Sequence, residues 1–147
     1  MSACIFCDII ARRAPASIVY EDDMVIAFMD LFPINPGHTL VVSKRHFTRV
    51  ADVDEATAAR MMTVARDIAA AIYRSPVRAD GVNLTLADGR AAGQEVPHAH
   101  LHVIPRFRGD GFHCTRAGGL RQASRDQLEE KAAILRKALG EGADQAS

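Results

Sequence analysis

The sequence predicts an α+β domain, an antiparallel sheet with two main helices. Three observations lead there. Short apolar runs broken by turn residues fill the first half of the chain, two longer stretches carry apolar residues at helical spacing, and a histidine-rich segment alternates with period two. The 147 residues, 48% apolar and 24% charged, have the size and balance of one domain able to bury its own core.

Each element has a local reason. Ile18 to Tyr20 and Met24 to Asp30 read as strands separated by the acidic turn Glu21-Asp22-Asp23. Pro33-Ile34-Asn35-Pro36-Gly37 is dense in turn residues, so the chain reverses there, and His38 to Lys44 follows as a buried β-branched strand. Asp54 to Arg74 is helical, with Met61, Val64, Ala65, Ile68 and Ile72 on one stripe. Asp52 or Asp54 caps its start and Ser75-Pro76 ends it. Val82, Leu84 and Leu86 alternate as a strand, 87–93 is a glycine-containing loop, and His98 to Pro105 alternates again. A second helix begins at Ser124, where Gln127 completes a capping box, and Leu128, Ala132, Leu135 and Leu139 form its stripe before a C-cap at Gly140. That stripe needs a cover, from its own domain or from a partner subunit. The predicted organisation is one domain over 1–140 and a flexible polar tail over 141–147.

Eighteen basic residues balance eighteen acidic ones, so nothing in the net charge calls for nucleic acid or an anionic membrane. A charged ligand would need a local site. The first residues lack the basic and apolar regions of a secretory signal, and no apolar run reaches membrane-spanning length. Three cysteines are an odd count, which argues against a disulfide framework. The expectation is a reduced, cytoplasmic protein with no nucleic-acid and no membrane partner.

The chemistry concentrates in His98-Ala99-His100-Leu101-His102. On a strand, the three histidines share one face and Ala99, Leu101 and Val103 take the other. Packing gives no reason for three imidazoles in a row. A neutral imidazole, with a reference pKa of ~6.5, has a lone pair for attack at phosphorus, and a neighbouring ring can protonate the leaving group. The preceding loop, Ala87 to Gln94, offers glycines where a phosphate could approach backbone N–H groups. A three-histidine catalytic zinc is the rival reading, although same-face neighbours lie ~6.5 Å apart on a flat strand. Cys4-x-x-Cys7 has the spacing of a zinc knuckle. A redox pair, which would need a βαβ context, and a chance pairing of buried cysteines are its alternatives.

These residues resemble the histidine triad (HIT) family, whose signature His-φ-His-φ-His-φ-φ stands here as His98 to Ile104, followed by Pro105-Arg106. Cys4 to Ile10, Ala27 to Asp30, Gly37 to His46 and Ala92-Gly93-Gln94 are similar to other blocks of that family, in the same order. The resemblance covers residues 4 to about 110; 107–121 match nothing in it. It implies a five-stranded antiparallel sheet with helices, a homodimer, and hydrolase or transferase chemistry on a nucleoside phosphoramidate, a dinucleoside polyphosphate or a related purine nucleotidyl compound. By position it makes His100 the nucleophile, with His102 and Gln94 on the phosphate or leaving group. Asp30 would bind the ribose, Ile5, Phe6, Ile9, Phe28 and Leu31 would line the base pocket, and Gly93 belongs to the phosphate loop. It also implies a structural zinc held by Cys4, Cys7, His46 and His98. Two positions depart from the family pattern: Ala87 stands where Asn is common, and Glu95 where a small or hydroxyl residue is common. These departures sustain a second reading, a nucleotide-binding or adaptor module with little turnover. His38 reads as structural or as a support behind the site. His113 and Cys114 are incidental, Lys44 and Arg45 are solvated, and Arg106 is either at the phosphate mouth or an exposed strand end.

Overall fold

The computed structural model describes residues 3–113 and 119–145. The chain divides into two units, Met1–Phe112 and His113–Ser147. The first holds a five-stranded antiparallel sheet and two helices. In chain order its elements are α1 (Ile5–Ile10), β1 (Ile18–Glu21), β2 (Val25–Met29), β3 (Thr39–Ser43), α2 (Glu55–Arg74), β4 (Gly81–Thr85) and β5 (His100–Arg106). The strands lie in the order β1-β2-β3-β5-β4, so β5 inserts between β3 and β4. This is the predicted fold class. The predicted strands differ from those observed by one or two residues at their ends, and α1 was not anticipated. Six residues are too few to display a helical period; α1 is held by Phe6 and Ile9 packing on the sheet rather than by propensity.

Period two divides the sheet into unlike faces. Val25, Ala27, Val41 and Val103 pack against the α2 stripe of Met61, Val64, Ala65, Ile68 and Ile72. Ile26, Phe28, Leu40 and Val42 face the other way, toward Cys4, Phe6 and Ile9 of the α1 region. The register pairs Leu40 with His102 and Val42 with His100, which places both imidazoles on the α1 face. A six-residue helix cannot cover a whole sheet face: His100 packs edge-on against Phe6 at 5.0 Å, while His102 keeps 23% of its side chain exposed.

Turn chemistry follows the sequence. Asp22 Oδ1 accepts from Met24 N (2.8 Å) and Val25 N (2.9 Å), which starts β2. Asn35-Pro36-Gly37-His38 is a β-turn closed by His38 N donating to Asn35 O at 3.1 Å. Gly37 has φ 98°, and a Cβ there would stand 2.8 Å from Val77 Cγ1, so both conformation and space require glycine. Asp54, not Asp52, caps α2: its carboxylate accepts from Thr57 N at 3.0 Å.

In the second unit, α3 spans Arg125–Gln145. The capping box forms as expected, with Gln127 N to Ser124 Oγ at 3.2 Å and Ser124 N to Gln127 Oε1 at 3.0 Å. Gly140 does not end the helix, which continues through the expected tail to Gln145. A glycine inside a helix costs only about 1 kcal/mol, too little to stop it without a left-handed cap. Leu128, Leu135 and Leu139 are exposed, with Ala132 half-buried. Cys114 and residues 146–147 lie outside the described residues.

Replacing Asp54 by Ala should cost about 1 kcal/mol in urea denaturation, whereas Asp52→Ala should stay within about 0.5 kcal/mol. Equal losses would show that the cap is misassigned.

Candidate active site

Three adjacent strands bring the site together. β5 supplies His100 and His102, Asp30 follows β2, and His38 precedes β3. His98 stands before β5 rather than within it. There Ala99 N donates to Phe47 O (2.6 Å), while Ser43 O accepts the His98 ring at 2.7 Å. Those bonds replace a ladder at this end of the sheet.

Each imidazole's tautomer follows from its partners. His98 is fully buried, and its Nε2–H donates to Ser43 O, so its lone pair is on Nδ1. His100 donates Nδ1–H to the His98 carbonyl at 2.6 Å, which leaves the lone pair on Nε2. His38 Nδ1 accepts from Ile34 N at 3.1 Å, so Nε2 carries the proton. That proton goes to His102 Nδ1, 2.9 Å away, and His102 in turn keeps its proton on Nε2. The outer nitrogens of His100 and His102 have no hydrogen-bond partner among the described residues. Buried side-chain nitrogens and oxygens there all have partners, so these two open to solvent. The pair therefore presents one lone pair and one N–H, with ring centroids 4.9 Å apart.

Burial keeps the rings neutral. Desolvation holds His38, His98 and His100 below the ordinary histidine range. It pushes His102 down to about 4, with the neighbouring His100 and His38 adding to the effect. Asp30 Oδ2 lies 3.4 Å from His38 Nε2 and 3.9 Å from His102 Nδ1. At neutral pH these are contacts of a carboxylate with neutral rings, not ion pairs. Asp30 Oδ1 accepts from Phe32 N at 2.9 Å.

A second cluster lies behind His100. Cys4, Cys7, His46 and His98 each offer one ligand atom, all within 4.8 Å of one another. Cys4 Sγ is 3.4 Å and Cys7 Sγ 3.7 Å from His98 Nδ1, and Cys7 Sγ is 3.3 Å from His46 Nδ1. A tetrahedral ion with ordinary Zn–S and Zn–N bonds has S···N edges of about 3.5 Å, so the donors fit one. The free lone pair of His98 is already on the nitrogen that faces the sulfurs. The other cluster, Asp30, His38 and His102, suits a metal less: His38 Nδ1 is taken by a backbone N–H, and Nε2 would have to lose its proton. Among the described residues no donor cluster contains two triad histidines, so the structure gives no three-histidine metal centre.

The remaining predicted residues divide. Phe6, Ile9 and Phe28 are buried together, with Phe6 edge-on to Phe28 (5.4 Å) and to His100 (5.0 Å). Ile5 and Leu31 are exposed, at 49% and 84%. Gln94 is buried, its Oε1 accepting from Gly89 N (2.8 Å) and its Nε2 donating to Thr48 O (2.9 Å), so its amide ties the loop down. Gly93 is exposed with φ 93° and has open space where a Cβ would stand. Glu95 is exposed and Ala87 half-buried. Arg106 turns to Asp110, Asn83 and the Phe112 carbonyl. His38, expected as structural or as a support behind the site, stands behind His102, whereas no local signal pointed to the parts played by Ser43, Asn35 and Asp110. A histidine just after Pro-Gly, at the head of an apolar strand, was the available signal for the first; the others act through partners far away in sequence.

Comparison with known proteins gives the class. The HIT domain family model matches residues 11–109. An uncharacterized HIT-like protein of Borreliella burgdorferi is 44% identical over 82% of this chain and 87% of its own. An adenylylsulfatase of Arabidopsis thaliana is 36% identical over 73% of this chain and 54% of its own. A zinc-bound histidine triad family protein from Mycobacterium smegmatis superposes with a TM-score of 0.73 at 39% identity, covering 99% of this chain and 98% of that one. The chain belongs to the histidine triad family.

The depressed histidines set a pH window. Unfolded, these rings bind a proton near pH 6.5; folded, His102 resists until about 4. Stability should therefore fall as pH drops from 6.5 toward 4, followed by urea midpoints. His102→Asn should flatten part of that slope, and an unchanged slope would mean that the ring is not held neutral.

Proposed function

We propose that this chain cleaves a nucleoside phosphoramidate, dinucleoside polyphosphate or related nucleotidyl compound through a nucleotidyl-histidine on His100. The observation that carries this reading is the tautomer pair: a lone pair on His100 Nε2 beside an N–H on His102. His100 Nε2 attacks phosphorus as the bond to the leaving group breaks; the neutral His102 donates an Nε2–H hydrogen bond to the departing atom, which takes its proton from solvent. Water then attacks phosphorus, the P–N bond breaks, the water's proton passes to solvent, and the nucleoside monophosphate and free His100 are released. Because His98 O accepts from Nδ1, positive charge developing on His100 is met by a carbonyl dipole. The name of the Arabidopsis relative supports an adenylyl substrate.

Phe6, Ile9 and Phe28, packed together beside His100, with the exposed side chains of Ile5 and Leu31, would supply the apolar surface for a purine base, and Asp30 would take the ribose hydroxyls. Gly93 leaves room for a phosphate at the backbone, in the loop that Gln94 holds. Cys4, Cys7, His46 and His98 would hold a zinc ion. Four protein ligands close its coordination sphere, so it stiffens the site rather than activating water. The bound form at the Mycobacterium smegmatis relative supports zinc. The proposal includes a homodimer and a cytoplasmic location; no described helix is long and apolar enough to cross a membrane.

Native protein should release AMP from adenosine 5′-phosphoramidate, and His100→Ala should lower kcat at least roughly 10³-fold. Tight AMP binding without turnover would select the adaptor reading, and full activity in His100→Ala would remove the nucleophile. Elemental analysis of protein purified without chelators should find one zinc per chain, reduced in Cys7→Ser together with the melting temperature. A metal-free native protein would remove the zinc site.

A further inference from the structure

The segment after β5 has no use in the reaction as described, yet it carries an unusually well-satisfied buried carboxylate. Asp110 is 4% exposed at its side chain. Its Oδ2 accepts from Arg106 Nε (2.6 Å), Asn35 Nδ2 (2.9 Å) and Phe107 N (3.3 Å). Its Oδ1 accepts from Arg106 Nη2 (3.0 Å) and Phe112 N (3.1 Å). Burying an ion pair is expensive, and apolar residues of similar size would close a surface turn at least as well. What distinguishes this carboxylate is where it reaches: four of its five donors belong to its own turn, and the fifth is Asn35, 75 residues away in sequence, in the turn that leads into the neighbouring strand β3.

Asn35 is the first corner of the turn that delivers His38. Its Nδ2 also donates to Pro105 O at 2.9 Å, at the end of the triad strand. Its own carbonyl accepts from His38 N, and His38 O accepts from Asp30 N at 2.9 Å. The residue just before it, Ile34, supplies the N–H that holds His38 Nδ1 as an acceptor. If that N–H moves away, His38 is free to carry its proton on Nδ1. Its Nε2 then offers a lone pair to His102 Nδ1, and His102 must shift its own proton to Nδ1 to meet it. The outer nitrogen of His102 would lose the N–H that hydrogen-bonds the leaving group.

We infer that Asp110 is a positioning residue of the active site: by holding Asn35 it fixes the turn that sets the His38 tautomer and thereby the hydrogen-bond-donating form of His102. The inference rests on the reading of His102 Nε2–H as a hydrogen-bond donor to the leaving group, but its central claim concerns tautomers and is tested without substrate.

Long-range ¹H–¹⁵N spectra of the imidazoles in native protein at pH 7.5 should show His102 as the Nε2–H form. In Asp110→Ala and in Asn35→Ala both tautomers of His102 should be populated. With adenosine 5′-phosphoramidate, kcat should fall by about tenfold at a KM within about twofold. Asn35→Ala leaves the Arg106–Asp110 pair in place, so it keeps the test open if Asp110→Ala fails to fold. Asn83→Ala removes a different contact of Arg106 and should change neither spectrum nor kcat. Folded Asp110→Ala and Asn35→Ala proteins that keep a single His102 tautomer, with only a lower melting temperature, would overturn the inference. Absence of turnover in the native protein would defeat the proposed reaction while the spectra still decided this point.

Discussion

The His98 imidazole is the contact on which the rest of the site depends. It is fully buried, its Nε2–H is fixed on the carbonyl that ends β3, and its Nδ1 faces the two sulfurs of the α1 region. Its own carbonyl then receives the Nδ1–H of His100. One residue thus ties the N-terminal segment to the sheet and orients the ring proposed to attack phosphorus. An unpaired polar ring at that depth would cost a few kcal/mol, so each of its polar atoms constrains a neighbour.

The unequal faces of the sheet explain why the site is where it is. α2 covers one face with a continuous apolar stripe. α1 is too short to do the same on the other. His100 and His102 stand on that face, next to the aromatic cluster of Phe6 and Phe28. The proposed binding surface sets these aromatic side chains beside hydrogen-bonding imidazoles.

Burial and hydrogen bonding divide the labour within the triad. Desolvation favours the neutral form of all three rings, which a nucleophile needs and a metal ligand also needs. The partners then distinguish them. His98 keeps a lone pair toward the cysteines, His100 keeps one toward solvent, and His102 keeps a proton there because His38 occupies its other nitrogen. Three chemically identical side chains at alternate positions acquire three different roles from the atoms across from them.

The sequence by itself determined the fold class, the α2 stripe, the capping box at Ser124 and the segregation of the histidines to one face, because these depend on periodicity and on partners a few residues away. It also carried the family signature and the spacing of the cysteine pair. The tertiary structure decided what depends on distant partners. Asp54 rather than Asp52 caps α2, and helix α3 passes through Gly140 because a single glycine costs less than the turns beyond it can restore. The commitment of Gln94 to Thr48, of His38 to His102, and of Asp110 to Asn35 each spans from 46 to 75 residues. Nothing local marks such pairs. A hydrogen bond between side chains is made by whichever backbone the strand order brings within 3 Å, and that order, with β5 inserted between β3 and β4, exists only in the folded chain.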